Sequence, residues 1–255
     1  MKYYNVATLF VVACMAMGIE RLYGQDLPSI QTDRPDQTEC PFIVPKNYVQ
    51  MENGLTFEHT NKLLRSFSLP TMLTKFGVND HFELRLITEY SMLQTDGIKT
   101  SGLVPITAGF KVNIAQEKGI LPTTSFIGHL TFPRLASEPF RSDFVAPSFR
   151  FTMQHSLSKT FTLGYNLGAE WDGQLPAPTY IYTLTLGRSI SEKFSSYIEV
   201  YGFLPEASKG DHRFDGGISY LITPNILIDI SGGFGITDNA PKHYAALGLS
   251  YRWKN

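Results

Sequence analysis

Residues 161–172 read FTLGYNLGAEWD, and the alternation of this stretch decides the fold class. The odd-numbered positions are all apolar: Phe161, Leu163, Tyr165, Leu167, Ala169 and Trp171. The even-numbered positions are all polar or small: Thr162, Gly164, Asn166, Gly168, Glu170 and Asp172. Because successive side chains of a strand point to opposite faces, the stretch predicts a β-strand with one apolar face. A helix would mix the two sets.

The same alternation recurs along the chain. Further stretches of this kind are residues 48–59, 63–76, 82–93, 103–114, 122–132, 144–155, 179–190, 194–203, 213–222, 226–236 and 243–253. Together they predict about twelve strands, with ten or fourteen as alternatives. An even number of strands is typical of the closed antiparallel barrels of bacterial outer membranes. We therefore predict an all-β transmembrane barrel over residues 48–255.

The connections between these stretches are of two kinds. Polar and mostly tight turns are predicted at residues 78–81, 115–120, 156–159, 190–193 and 222–225. Most of the alternate connections are longer and richer in Gly and Pro, at residues 94–102, 133–143, 173–178, 204–212 and 237–242, with residues 60–62 as the exception. Short periplasmic turns that alternate with longer extracellular loops are the expected asymmetry of a transmembrane barrel.

The composition favours lipid as the solvent of the apolar face. Only 18% of the residues are charged and 13% are aromatic, whereas a soluble domain has about 25% charged residues. A soluble barrel with its apolar face inward is the alternative, but twelve strands enclose more space than side chains fill. Trp171 and Trp253 are predicted to form aromatic girdles at the two membrane interfaces, since residues 161–171 project to roughly 26 Å along a tilted strand.

The first residues predict export. Lys2 precedes an apolar run at residues 6–19, and Gly24 stands before a plausible cleavage point, so residues 1–24 are predicted to be a signal peptide. The run is too short for a transmembrane helix, and a lipoprotein signal ending at Cys14 is an alternative. After cleavage Cys40 is the only cysteine, so no disulfide within the chain is expected.

Cofactors and nucleic acid are not expected as ligands. The six histidines are never close enough in sequence to suggest a metal site, and the formal net charge of −1 gives no reason to expect nucleic acid. We predict no cofactor.

Charged residues on the strands fall on the polar face. The predicted lining of the lumen is Glu52, Glu83, Arg85, Glu89, Lys111, Arg150, Glu170, Glu199, Asp215, Asp229 and Arg252. A charge that faces hydrocarbon costs about 2–4 kcal/mol at mid-depth, so stability alone would place these residues inside. The functional interpretation is that the same side chains select solutes, and the two interpretations are compatible.

Residues 25–47 precede the first strand and are polar, with four prolines in residues 25–45. They are predicted to form either a periplasmic linker or a partial plug of the lumen. As a plug, the segment would bring Asp33, Arg34, Asp36 and Glu39 to the lining charges, and we expect Arg34 to pair with an acidic lining residue.

This region also carries a family resemblance. Thr-Asp-Arg-Pro-Asp-Gln-Thr-Glu at residues 32–39, Pro41-Phe42, Val44-Pro45-Lys46 and Gln50-Met51-Glu52 resemble outer-membrane barrels labelled "meta-pathway of phenol degradation", in a Bacteroidetes-like form. Residues 76–80, 82–85 and the closing 248–253 are also similar. The chain departs from the family at Cys40, where Ser is expected, and in ending two residues beyond Trp253.

The resemblance implies an outer-membrane channel for passive uptake of small hydrophobic or aromatic solutes. The expected partners are outer-membrane lipid, a small-molecule solute and the barrel-assembly machinery. Two alternatives are an outer-membrane lipase and a structural barrel without a pore. A lipase needs a serine with a histidine base; His155 and Ser196 share a rim but lack a Gly-flanked serine motif and an acidic partner, and His129 is expected to be a hydrogen-bonded lining residue, so no catalytic residue is predicted.

Overall fold

The computed structural model describes residues 27–60, 64–206 and 208–255. The predicted signal peptide at residues 1–24 and the alternative lipid site at Cys14 lie outside the described residues. No helix in the described ranges is long and apolar enough to cross a membrane. The strands are β1 (Tyr48–His59), β2 (Leu64–Asn79), β3 (Phe82–Thr95), β4 (Ile98–Leu103), β5 (Ile106–Ala115), β6 (Thr123–Phe132), β7 (Ala146–Ser156), β8 (Phe161–Glu170), β9 (Thr179–Ser189), β10 (Phe194–Pro205), β11 (Asp211–Thr223), β12 (Ile226–Gly235) and β13 (His243–Lys254), and a single 3-10 turn spans Glu138–Phe140.

The strands form one closed antiparallel sheet. Strands β5 to β13 pair in sequence order, β13 pairs with β1, and β1 pairs with β2. The ring closes because β3 pairs with both β2 and β5. Strand β4 pairs only with the far end of β3, so it extends the wall without adding to the ring. The predicted closed barrel of twelve strands is confirmed.

One connection was predicted wrongly. Residues 94–102 were expected to form a loop, but β3 continues to Thr95 and pairs with β4 from Tyr90↔Leu103 to Thr95↔Ile98. Asp96 and Gly97 turn the chain with φ of 52° and 83°, the left-handed values that an Asp-Gly hairpin turn of type I′ requires. The Asp-Gly dipeptide is a hairpin signal, but the sequence prediction assigned it to a long loop.

The two rims of the barrel differ. The turn rim carries the connections at residues 80–81, 116–122, 157–160, 190–193 and 224–225. The loop rim carries the β3–β4 hairpin, the connections at residues 133–145, 171–178 and 236–242, and the connection between β10 and β11. Trp253 pairs with Val49 near the turn rim, and Trp171 follows β8 at the loop rim, where its Nε1 donates to the Pro176 carbonyl at 3.0 Å. Their assignment to aromatic girdles stays a prediction.

The outer face of the sheet is apolar and the inner face is charged, which is the reverse of the arrangement in a soluble protein. Outward-facing Leu84 and Leu247 are 49% and 54% exposed, whereas inward-facing Glu83 and Lys111 are each 0% exposed. Large apolar side chains prefer burial and charged ones avoid it. An outer surface of this kind suits hydrocarbon, and the polar groups are gathered in the lumen.

Candidate functional site in the barrel lumen

Charged side chains cover the inner face. Eight of the eleven residues predicted to line the lumen are at most 5% exposed: Glu52, Glu83, Arg85, Lys111, Glu199, Asp215, Asp229 and Arg252. Glu89, Arg150 and Glu170 are half-buried on the same face. Glu89 accepts hydrogen bonds from Ser68 Oγ and Thr71 Oγ1 of the neighbouring strand, each at 2.8 Å.

Much of this burial is due to residues 27–47, here called the N-terminal segment. The segment starts at the turn rim, where Ile30 N donates to the Pro224 carbonyl at 2.8 Å. It crosses to the opposite wall, where Glu39 N donates to Asn166 Oδ1 at 2.7 Å. It then returns to the turn rim, where Tyr48 N donates to the Pro45 carbonyl at 3.0 Å and β1 begins. The segment therefore spans the bore as a loop.

Asp33 holds the segment to one side of the wall. Its Oδ1 accepts from Lys111 Nζ at 2.8 Å, and its Oδ2 accepts from Lys75 Nζ at 3.0 Å and Arg85 NH1 at 2.9 Å. Cys40 N also donates to Oδ1 at 3.0 Å, which ties the two ends of the turn together. Burial by itself would raise the pKa of Asp33, but the three surrounding cations hold it well below its ordinary value. Asp33 is therefore ionised in place.

Arg34 lies next to this cluster and contacts another strand. Its Nε and NH2 lie 3.4 and 3.0 Å from the two oxygens of Asp229 on β12. Gly54 of β1 and Gly248 of β13 face each other directly, and a Cβ at either position would collide with the Arg34 guanidinium. The two glycines thus leave the space in which this ion pair forms.

The far side of the lumen binds the segment differently. Gln37 N donates to Glu199 Oε2 at 2.8 Å, and the Thr38 hydroxyl contacts both Glu199 and Thr183. Asp36 lies close to Asp215, and burial, followed by the charge of that carboxylate, raises the pKa of Asp36 to about 8. This side therefore combines carboxyl groups with neutral donors.

Residues 39–45, which lead back to the turn rim, are held by ion pairs, a hydrogen bond and close backbone packing. Glu39 pairs with Arg85 NH2 at 2.5 Å and lies 3.6 Å from Arg150 NH1. Val44 N donates to Glu83 Oε2 at 2.8 Å. The carbonyls of Val44 and Pro45 lie so close to Gly77 that no Cβ would fit there. Three strands thus hold this part of the chain.

A cavity of about 280 Å³ lies on the loop side of the segment. The N-terminal segment supplies Arg34, Asp36 and Glu39 to its lining. The wall supplies charged, aromatic and aliphatic side chains, among them Arg150, Tyr201, Arg213, Tyr244, Leu73 and Ile87. The site therefore offers both charged groups and apolar surface to a small solute.

Several lining residues were missed from the sequence. Lys75 of β2 is 1% exposed and pairs with Asp33 and Glu52. Arg213 of β11 pairs with Glu58 and Asp211, at 2.8 Å for Glu58. Parity along their strands was sufficient to find both basic residues, since Lys75 precedes the apolar Phe76 and Arg213 lies two residues before the predicted lining residue Asp215.

The residues considered for catalysis are separated in the wall. His155 lies on β7 and Ser196 on β10, with β8 and β9 between them. His155 Nε2 lies 3.3 Å from the Tyr165 hydroxyl, and His129 Nε2 accepts from Arg85 Nε at 3.2 Å. The described residues include no group of three or more His, Cys, Asp or Glu side chains suited to a metal ion.

The family model described as "Putative MetA-pathway of phenol degradation" matches residues 32–253. The chain belongs to this family. The match begins within the N-terminal segment, so the phenol-degradation family signature includes both that segment and the barrel wall. No curated protein matches the chain in sequence.

Solved structures with a similar fold include outer-membrane channels and porins. An outer-membrane channel from Pseudomonas putida F1 is similar with a TM-score of 0.67 at 11% identity, over 86% of this chain and 99% of that one. The NanC porin has a TM-score of 0.56 at 10% identity, over 80% and 98%. The KdgM porin has 0.52 at 10%, over 79% and 98%. This member of the phenol-degradation family thus shares its closed β-barrel fold with outer-membrane channels and porins.

Proposed function

We propose that this protein is a channel for passive uptake of small hydrophobic or aromatic solutes across the outer membrane, and that the N-terminal segment is a plug that controls the pathway. The observation that carries the proposal is the cavity on the loop side, which ends on the segment and is lined by Tyr201, Tyr244 and Leu73 beside charged groups. The family description supplies the link to phenolic compounds.

The plug function rests on how the segment is held. Backbone and side-chain groups of the segment make polar contacts to inward-facing side chains on several strands. Polar contacts of this kind can be exchanged for water when the segment moves. Solute passage then requires a displacement of the segment.

A disulfide trap tests this requirement. Thr38 and Thr183 have hydroxyl oxygens 2.6 Å apart, so cysteines at both positions lie within reach of a disulfide. The double variant is made with Cys40→Ser, because Cys40 is a free thiol. We expect the oxidised protein to be closed and the reduced protein to be open in liposome-swelling assays with a phenol and with a sugar, measured against protein-free liposomes. Equal swelling in both states would exclude a moving plug.

We further propose that the protein is not an enzyme. The separation of His155 from Ser196 by two strands argues against a lipase, and absence of phospholipid turnover in the same liposomes is the expected result. A structural barrel without a pore is the second candidate, favoured by the buried charges that fill the lumen around Asp33. No swelling even after removal of the Asp33 charge would support it. We also propose that β13, which carries Trp253 near its end, is read by the barrel-assembly machinery.

A further inference from the structure

A groove of about 650 Å³ lies on the outer surface of the wall, away from the lumen. Its lining includes outward-facing apolar side chains and two glycines on the same outward face: Leu186, Ile198, Ile218, Ile230, Gly216 and Gly232. Gly216 and Gly232 pair directly across β11 and β12. Since neither has a side chain, the backbone forms the floor of the groove and the neighbouring isoleucines form its sides.

One end of the groove is basic. Arg188, the penultimate residue of β9, is exposed at the turn rim, and its guanidinium lies 5.4 Å from the ring centroid of Phe161. Arg188 is the only charged side chain that faces outward from the described strand residues in the half of the wall next to the turn rim. Lys159 and Lys193 are exposed in the two flanking turns, together with Glu192.

The pairing shows how the groove runs. Direct partners connect Phe161 to Arg188, Arg188 to Ser196, Ser196 to Ile218 and Ile218 to Ile230. Phe161 is the first residue of β8, but Ile230 is the fifth residue of β12, so the row climbs away from the turn rim. With strands about 4.8 Å apart, the three steps from β9 to β12 cover about 14 Å. The basic end lies at the interface and the glycine end within the membrane.

We propose that this groove is a binding site for an anionic glycerophospholipid. The phosphate contacts Arg188, which is fixed by its stacking on Phe161, and one acyl chain lies along the groove over Gly216 and Gly232. Arginine forms several hydrogen bonds with a phosphate, and basic residues at the membrane surface attract anionic lipids. In outer-membrane barrels the short turns face the periplasm, which places the phosphate in the inner leaflet.

Two variants test the two parts of the site. Arg188→Gln removes the charge that contacts the phosphate, and Gly232→Leu fills the membrane end of the groove; at Gly232 the nearest atom to an added Cβ is the Tyr244 carbonyl at 3.3 Å. Matched controls are Arg65→Gln, an outward-facing arginine at the loop rim, and Ala245→Leu, the next outward position beside Gly232.

The measurement is retention of lipid by the purified full chain, extracted from equimolar phosphatidylglycerol and phosphatidylethanolamine and examined by native mass spectrometry. We expect the wild-type protein to retain more phosphatidylglycerol than phosphatidylethanolamine. Arg188→Gln should lower that preference about fivefold, which is the factor that one basic residue contributes near an anionic membrane surface. Gly232→Leu should reduce retention of both lipids, and both controls should match the wild type. Equal retention of the two lipids by the wild type, or a loss of preference in Arg65→Gln equal to that in Arg188→Gln, would overturn the proposal.

Discussion

The two sides of the lumen hold the same segment with opposite chemistry. On the side of β2, β3 and β5, one carboxylate of the segment, Asp33, meets three basic side chains. On the side of β9 and β10, the wall carboxylate Glu199 meets a backbone N–H and a hydroxyl, with Asp36 nearby. A buried charge that has lost its partners is far more costly than a lost hydrogen bond between neutral groups. The first side should therefore anchor the segment, and the second should be the side that releases it.

The largest effect is expected at the anchor. Asp33→Asn leaves Lys75, Arg85 and Lys111 without their shared carboxylate and should weaken seating of the segment by about 3–5 kcal/mol. Single-channel conductance in planar bilayers should rise well above that of the wild type. Asp80→Asn, which removes an exposed carboxylate in the β2–β3 turn, is the control and should leave conductance unchanged. An Asp33→Asn protein that conducts, but no more than the wild type does, would show that the anchor is elsewhere.

The next effect is expected at Arg34, between the two sides. Arg34→Ala removes the contacts to Asp229. Because the Arg34 side chain is 19% exposed, the seating of the segment should be weakened by about 1–3 kcal/mol, which is less than in Asp33→Asn. Conductance should increase, but less than in Asp33→Asn. A double-mutant cycle with Asp229→Asn isolates the pair, and wild-type conductance in Arg34→Ala would show that the contact does not seat the segment.

The releasing side should depend on pH. The pKa of Asp36 is raised to about 8 in place, whereas the ordinary value is 3.8. Between these values the seated segment holds a proton that the released segment loses, so raising the pH through this window weakens seating and should increase conductance. Above about pH 8, where Asp36 is ionised in both the seated and the released segment, it should cause no further change in conductance.

Asp36→Asn tests this assignment, because the amide cannot release a proton. The rise in conductance between about pH 5 and pH 8 should be reduced in this variant. Asp33 has a lowered pKa, so its contribution is lost only as the pH falls below its ordinary value of 3.8. A pH profile identical to that of the wild type would assign the effect to Glu199 or Asp215 instead.

The smallest effect is expected for Glu199→Gln. The amide oxygen can still accept one of the two hydrogen bonds from Gln37 and Thr38, and the change removes a carboxylate from beside Asp36 and Asp215. The free energy of seating the segment should therefore change by no more than about 1 kcal/mol. The thermal midpoint and the conductance should stay close to those of the wild type. An effect as large as that of Asp33→Asn would remove the distinction between the two sides.

The wall could be predicted from the sequence because each strand carries its own pattern. Alternation in residues 161–172 identified both the strand and the side that faces lipid, and β1 was predicted with the bounds that it has, Tyr48–His59. The β3–β4 hairpin was missed because β4 has only six residues, too few to show a clear alternation, and pairs with β3 alone.

The contacts of the lumen were less accessible to prediction. Parity places Glu52 and Lys75 inside, but it does not show which of many inward charges meet. That depends on the path of the N-terminal segment, which is not a strand and has no periodicity. The choice of Lys75, Arg85 and Lys111 as the partners of Asp33 follows from the register of three strands and from the turn that Cys40 N closes.

The N-terminal segment enters and leaves the lumen at the same rim. Ile30 is bonded to the turn between β11 and β12, and Pro45 is bonded to the start of β1. Residues 30–45 are therefore a loop inserted into a closed ring and are not threaded through it. Such a loop can be inserted after the ring has closed, or withdrawn from it, without unpairing any strand. Folding of the wall and filling of its interior are thus topologically independent events.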